Sequence, residues 1–190
     1  MKERSRLFII ALLALTLVLS AGLLSSCSSS SGNASTAKDT LSGTTATLLP
    51  KLNENGNALL PAGVVPYMTF EAPVTDANCK DALGLTAAQL GQYVDEATVS
   101  QAAIGTHAHI IVLAKCKSFA DASTVAGLVA DGFDSGRLIC AFPDRSFVQV
   151  SGSYVLLVSS SAEHAKAFEK AFSELADGNV GAENTFYTLK

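Results

Sequence analysis

The sequence predicts an α+β fold: two successive strand-strand-helix units, read as a duplication, form a four-stranded antiparallel sheet with helices packed on one face. Three observations predict it. Ile110-Ile111-Val112-Leu113-Ala114 and Tyr154-Val155-Leu156-Leu157-Val158 are continuous apolar runs with the length and β-branched content of buried strands. Each run follows a shorter strand-like stretch and a turn. Each is then followed by a segment whose apolar residues recur at helical spacing.

Lys2, Arg4 and Arg6 make a cationic start, and Leu7 to Leu19 is a 13-residue apolar run closed by Ser20-Ala21-Gly22. About 20 apolar residues are needed to span a bilayer, so residues 1–26 read as a secretory signal peptide rather than a membrane anchor. Leu24-Ser25-Ser26-Cys27 then meets the bacterial lipobox pattern, an aliphatic residue three before the cysteine with small residues between. Cleavage ahead of Cys27 leaves thioether-linked acyl chains on that residue, and two or more chains hold a protein on a membrane stably.

From Ser28 to Thr47, 13 of 20 residues are Ser, Thr or Gly, so 27–47 reads as a lipidated cysteine followed by a flexible tether. A single domain is expected over 48–178, with 179–190 as a C-terminal tail. Pro50, Pro61, Pro66 and Pro73 fall within its first part, and 48–75 is therefore expected to be extended or turn-like without a long helix. Thr86-Ala87-Ala88-Gln89 is a capping box that opens a helix with Leu90, Tyr93 and Val94 on one face.

Thr98 to Gly105 reads as a strand and Thr106 to His109 as a turn, leading into the first apolar run. Ser118 to about Ala141 carries Ala122, Val125, Val129 and Phe133 at helical spacing, although Gly127, Gly132 and Gly136 favour a break near 131–136. Phe147 to Val150 is a strand, and Gly152-Ser153 suits a two-residue type II′ turn into the second run. Ser160 and Glu163 form a capping box for a last helix. Its buried side carries Ala165, Phe168, Phe172 and Leu175, and Asp177-Gly178 ends it.

Once residues 1–26 are removed, 10 Lys+Arg face 16 Asp+Glu, a net charge near −6. An acidic chain without a cationic cluster is repelled by nucleic acid and by anionic headgroups, which excludes both as the main ligand. The chain lacks a G-x-S-x-G elbow, and Ser151-Gly152-Ser153 sits in a turn. The acidic pair Asp95-Glu96 points apart on a regular element. A phosphate loop is also missing, since Gly127, Gly132 and Gly136 are not followed by Lys and Ser/Thr.

Around residues 75–175 the chain resembles a family of small lipoproteins from Gram-positive bacteria whose shared domain is of unknown function. Four stretches carry the resemblance: Gln92-Tyr93-Val94, the strand from His109 to Lys115, Phe142-Pro143, and Gly152 to Ser159. The resemblance implies a fold and a cell-surface setting, with no catalytic residue to transfer. Cys79, Cys116, His107 and His109 are not part of its pattern.

Two constellations have chemical potential. His107 and His109 are two apart, so on an extended segment both imidazoles share a face and begin a zinc or copper site, for which a third ligand is missing locally. His164, Cys116 or a carboxylate are the candidates to join them. Three cysteines remain beside Cys27. Cys116 and Cys140 are placed to form one disulfide across a strand end and the following helix, while Cys79, Cys116 and Cys140 otherwise serve as buried apolar side chains. The sequence therefore points to a non-catalytic, lipid-anchored, extracytoplasmic module without a cofactor, bound to membrane lipid through Cys27 and to an envelope protein or wall component. The alternative is a small metal or thiol-redox protein using His107, His109, Cys116 and Cys140.

Overall fold

The computed structural model describes residues 39–137 and 141–189; the leader, the lipobox at Leu24 to Cys27, and Cys140 lie outside the described residues. An α+β antiparallel fold is present, but among the described residues the sheet has six strands rather than four. In chain order the elements are α1 (Thr45–Ala58), β1 (Thr69–Pro73), α2 (Cys79–Leu83), α3 (Ala87–Tyr93), β2 (Val94–Ala102) and β3 (Ile110–Cys116). They continue with α4 (Phe119–Gly132), β4 (Arg145–Ser151), β5 (Tyr154–Ser160), α5 (Ala162–Leu175) and β6 (Asn184–Thr188). The strands lie in the order β1-β2-β3-β5-β4-β6, each antiparallel to its neighbours.

The two apolar runs form the centre of the sheet, paired Ile110 to Ser159 through Lys115 to Tyr154. Successive side chains on a strand point to opposite faces, so a continuous apolar run feeds two cores. Val112, Ala114, Val155 and Leu157 join one core with α2, α3 and α4. Ile111, Leu113, Leu156 and Val158 join the other with Leu48, Leu49 and Leu52 of α1 and Phe168 and Phe172 of α5. Helices therefore cover both faces, which corrects the expectation of helices on one.

The expected duplication is corrected by the same observation. The order β2-β3-α4 then β4-β5-α5 recurs along the chain. Because β3 and β5 are antiparallel neighbours, the rotation that would exchange the two hairpins is a two-fold axis normal to the sheet, and it leaves each face in place. True repeats would then put both helices on the same face, whereas α4 and α5 lie on opposite ones.

The Pro-rich segment departs most from expectation, because it begins with the helix α1. Thr44 caps it through its side chain, and Leu48, Leu49, Leu52 and Gly56 face the core. Pro50 removes one helical N–H, but it lies on the exposed side, as does Ala46, whose carbonyl that N–H would have met, and water can serve that carbonyl. The polar side of β2 holds α1: Glu96 accepts from the Thr45 backbone N–H at 2.9 Å, Thr45 and Thr98 hydroxyls meet at 2.8 Å, and Asn53 donates to Ser100 at 3.0 Å.

The segment read as tether is packed from Asp39 onward. Leu41 is buried, the Thr40 hydroxyl donates to the Ala176 carbonyl at 2.8 Å, and Asp39 accepts from Ser153 N–H at 2.7 Å. Asp39 thereby clasps the β4–β5 turn. That turn is of the expected kind: φ is +58° at Gly152 and not positive at Ser153. A Cβ at Gly152 would lie 2.0 Å from Asp39 Oδ1, so glycine is required by space as well as by φ.

At the other terminus the expected tail contains β6, which pairs with β4 from Arg145–Thr188 to Val148–Asn184. Arg145 lies over the Phe147 ring and bonds Glu169 of α5 at 3.1 Å together with Glu183 just before β6. One guanidinium thus ties a strand, a helix and the C-terminal segment together.

The Thr86–Gln89 capping box is present as read. The second is not: Ser161, rather than Ser160, occupies the N-cap of α5 without a side-chain cap bond, and Asp144 instead accepts from Ala162 N–H at 3.0 Å. α4 stops at Gly132, well before Ala141. Gly132 there meets the left-handed Gly84 that ends α2, in an approach so close that a Cβ on Gly84 would sit 2.2 Å from the Gly132 carbonyl carbon.

Candidate functional site

Strand register separates the two ends of the sheet. Val94, Cys116 and Tyr154 lie at the end where Asp39 is bound, and Gln101, Ile110 and Ser159 lie at the opposite end. The opposite end gathers all three histidines of the chain around one tyrosine.

His107 and His109 come from the loop between β2 and β3, and the His109 carbonyl accepts from Ala102 N–H at 2.9 Å, which fixes where the loop closes. His164 comes from the first turn of α5. Tyr67 lies two residues before β1. Its ring stacks on His107 at 4.6 Å between centroids and on His164 at 4.2 Å, while His109 lies 5.0 Å away at a tilt. Phe168, one helical turn beyond His164, meets His109 edge-on at 5.6 Å and forms the floor.

Each buried imidazole has a serine partner where β5 runs into α5. His109 Nδ1 is 2.7 Å from Ser160 Oγ and His164 Nδ1 is 2.8 Å from Ser161 Oγ. His109 is 5% exposed and His164 2%. Burial first, and then His164 and His107 as neighbouring cations, push the His109 pKa down to about 3. His164 is also lowered, burial again being the main cause, against opposing contributions from the Val65 carbonyl and Glu163. Its buried Nε2 has no hydrogen-bond partner among the described residues.

A serine within 2.7 Å of a histidine is the reach required of a nucleophile and its base. Three features oppose that role. Ser160 is fully buried, an imidazole held near 3 is too weak a base at neutral pH, and no carboxylate orients either ring among the described residues. The arrangement is a packed aromatic cluster that keeps two imidazoles neutral.

The metal expectation meets the same geometry. His164 does join His107 and His109, as the missing third residue, but the Tyr67 ring fills the space between His107 and His164. Among the described residues no group of three or more His, Cys, Asp or Glu is arranged to hold an ion. Cys116 lies at the far end of β3, about 20 Å away at ordinary strand rise, so it is not part of this cluster. Burial and then Asp121 push its thiol up to about 12, which suits a core side chain rather than a redox nucleophile. Cys79 and Cys116 carry free, buried thiols in the same core, and the disulfide expected between Cys116 and Cys140 involves a residue outside those described.

No family model, curated protein or solved structure matches the chain. The resemblance to the Gram-positive lipoproteins therefore rests on the residues quoted for it.

Sequence reasoning missed two features of this end. Tyr67, the hub of the cluster, gave no signal because it stands in a Pro-rich stretch far from the histidines. Exposed apolar side chains also concentrate here: Val65 is 75% exposed, Met68 74%, Ile104 53% and Phe70 47%. The Ala103 N–H donates to the Met68 carbonyl at 2.8 Å, and Phe70 pairs with Gln101, so Met68, Phe70 and Ile104 stand on neighbouring backbone. A concavity of about 550 Å³ elsewhere on the domain, lined in part by Asp76, Leu90, Asp95 and Glu96, contains neither histidine nor cysteine.

Proposed function

We propose that this protein is a lipid-anchored domain on the extracytoplasmic face of the cell membrane, kin to the lipoproteins it resembles, that binds a protein of the cell envelope and performs no chemistry itself. The lipobox Leu24-Ser25-Ser26-Cys27 supports the address. The observation that carries the binding role is the concentration of exposed Val65, Met68, Phe70 and Ile104 at the end of the sheet opposite Asp39, where the anchored chain joins the domain. Clustered exposed apolar side chains mark contact sites on soluble domains. Aliphatic side chains and Met suit a protein partner better than a glycan, which calls for hydrogen bonds and flat aromatic surface. The mature chain's acidity also disfavours anionic wall polymers.

The test places a photo-cross-linking residue in living cells at Met68, at Ile104 and, as a control, at exposed Lys117 on the other end. Adducts of one envelope protein from positions 68 and 104 and not from 117, reproduced when that protein is tagged and captured in turn, are expected. Adducts containing wall glycan, or the same yield from position 117, would contradict the reading.

A further inference from the structure

We infer that residues 60–68 form a strap latched by the Tyr67 ring between His107 and His164, and that protonation of the histidine cluster releases it. The strap joins α1 to β1, has no regular structure, and contains Pro61, Gly63 and Pro66. Of its nine residues only Leu60, Val64 and Tyr67 are even half-buried. Among the described residues its attachments are few: the Leu60 N–H donates to the Asn57 carbonyl of α1 at 3.3 Å where the strap begins, and beyond that there are the Tyr67 stack, the Met68 carbonyl that accepts from Ala103 N–H at 2.8 Å, and the Val65 carbonyl facing His164. Beneath Tyr67 lie His109, His164 and Phe168, so lifting the strap uncovers an aromatic socket.

The latch is sensitive to charge because of what surrounds it. His109 faces the Ser160 hydroxyl from β5 and His164 from α5, and it lines a small cavity with Asp134 and Arg137 from the segment after α4. The Arg137 guanidinium is spoken for by the Asp81 carbonyl at 2.7 Å and Gln101 at 3.3 Å. His164 faces the Ser161 hydroxyl, the Val65 carbonyl, His107 and the single carboxylate Glu163. Among the described residues three imidazoles thus have two carboxylates near them, Glu163 beside His164 and Asp134 across the small cavity from His109, and Asp134 is already engaged by the Gly136 N–H at 2.9 Å. A first proton is opposed by burial and a second by the first.

The sign follows from linkage. In the closed strap the pKa values of His109 and His164 lie below their ordinary value, whereas in the open strap both rings meet water and titrate near about 6.5. Between those values the open form binds more protons. Closed-strap stability is therefore fully present above about pH 6.5 and lost as pH falls below it. Lowering pH from 7.5 to 5.5 raises the open population about tenfold through His109, and His164 adds to the response in the same direction. The latch stands independently of the proposed partner; an extracytoplasmic setting only means that external pH reaches it.

Hydrogen exchange of the full chain in detergent micelles, corrected for intrinsic exchange, tests this. Protection of strap amides and of Ala103 N–H is expected to fall at least tenfold between pH 7.5 and 5.5, with the β3–β5 ladder unchanged. In H164F, which keeps an aromatic ring and removes a titrating group, the response is expected to shrink; in Y67A the strap is expected to be open at both pH values. Protection that is constant with pH in the wild-type chain, or lost in step with the β3–β5 ladder, would overturn the inference. Ring-proton titration in the wild-type chain decides independently of any variant: an ordinary His164 titration with no change in the strap would also overturn it.

Discussion

Gly84→Ala is expected to lower the free energy of unfolding by about 2–5 kcal/mol, the sum of about 1–2 for a left-handed alanine and about 1–3 for overpacking. Gly84 has φ +74°, and its new Cβ would lie 2.2 Å from the Gly132 carbonyl carbon and 2.3 Å from Phe133 nitrogen. Those are backbone atoms at the end of α4, so relief requires α2 or α4 to move off the core they share. For a domain of this size the thermal midpoint should drop by about 10 °C. Gly127→Ala in the exposed interior of α4 is the internal control. Nothing lies within 4 Å of its new Cβ, and it should stabilise by about 0.5–1 kcal/mol. Equal effects from the two substitutions would show that helix propensity, rather than the α2–α4 approach, sets the cost.

Phe168→Ala is expected to cost about 3–5 kcal/mol in chemical denaturation, the range for removing a buried aromatic side chain. The ring is 1% exposed, stands where Gly56 lets α1 approach α5, and supports His109 from below. A Cβ on Gly56 would come within 2.9 Å of it, so neither helix has spare space to collapse into the cavity without shifting. Loss of the floor should also weaken the Tyr67 latch at neutral pH, giving strap exchange resembling that of the Tyr67→Ala chain. By comparison Phe119→Ala, on a partly exposed ring at the start of α4, should stay within about 0.5 kcal/mol of wild type.

The parts of the fold legible in the sequence are those with strong local chemistry. The central strands β3 and β5 announce themselves as apolar runs, the Thr86–Gln89 box opens α3, and Gly152 marks the hairpin turn. The cover on both faces was also encoded there. A run such as Ile111-Val112-Leu113 that is apolar at every position has no side for water, and a sheet with one wet face would have shown alternation. The edge strands β1 and β6 are five residues long and contain no buried residue, so neither carries that pattern. α1 was hidden by Pro50 and by a Thr-rich start resembling the tether, although Leu48, Leu49 and Leu52 already mark its buried face.

The candidate site was legible only as a pair. His107 and His109 stood out by spacing, but their meeting with Tyr67 and His164 depends on β3 and β5 being neighbours and on α5 starting directly where β5 ends. Spacing also suggested metal ligands, since a sequence does not show that an aromatic ring fills the space between them. Tertiary packing turned a ligand motif into a stack.

The most direct test of the proposed address is fractionation of cells expressing the wild-type chain and Cys27→Ala, with mass spectrometry of the mature N-terminus. The wild-type chain should partition with membranes and begin at an acylated Cys27. The variant should leave the membrane-bound acylated pool, with the thermal midpoint of its domain, which is packed from Asp39 onward, unchanged. A wild-type chain whose Cys27 is unmodified, or a variant retained on membranes to the same extent, would contradict the account.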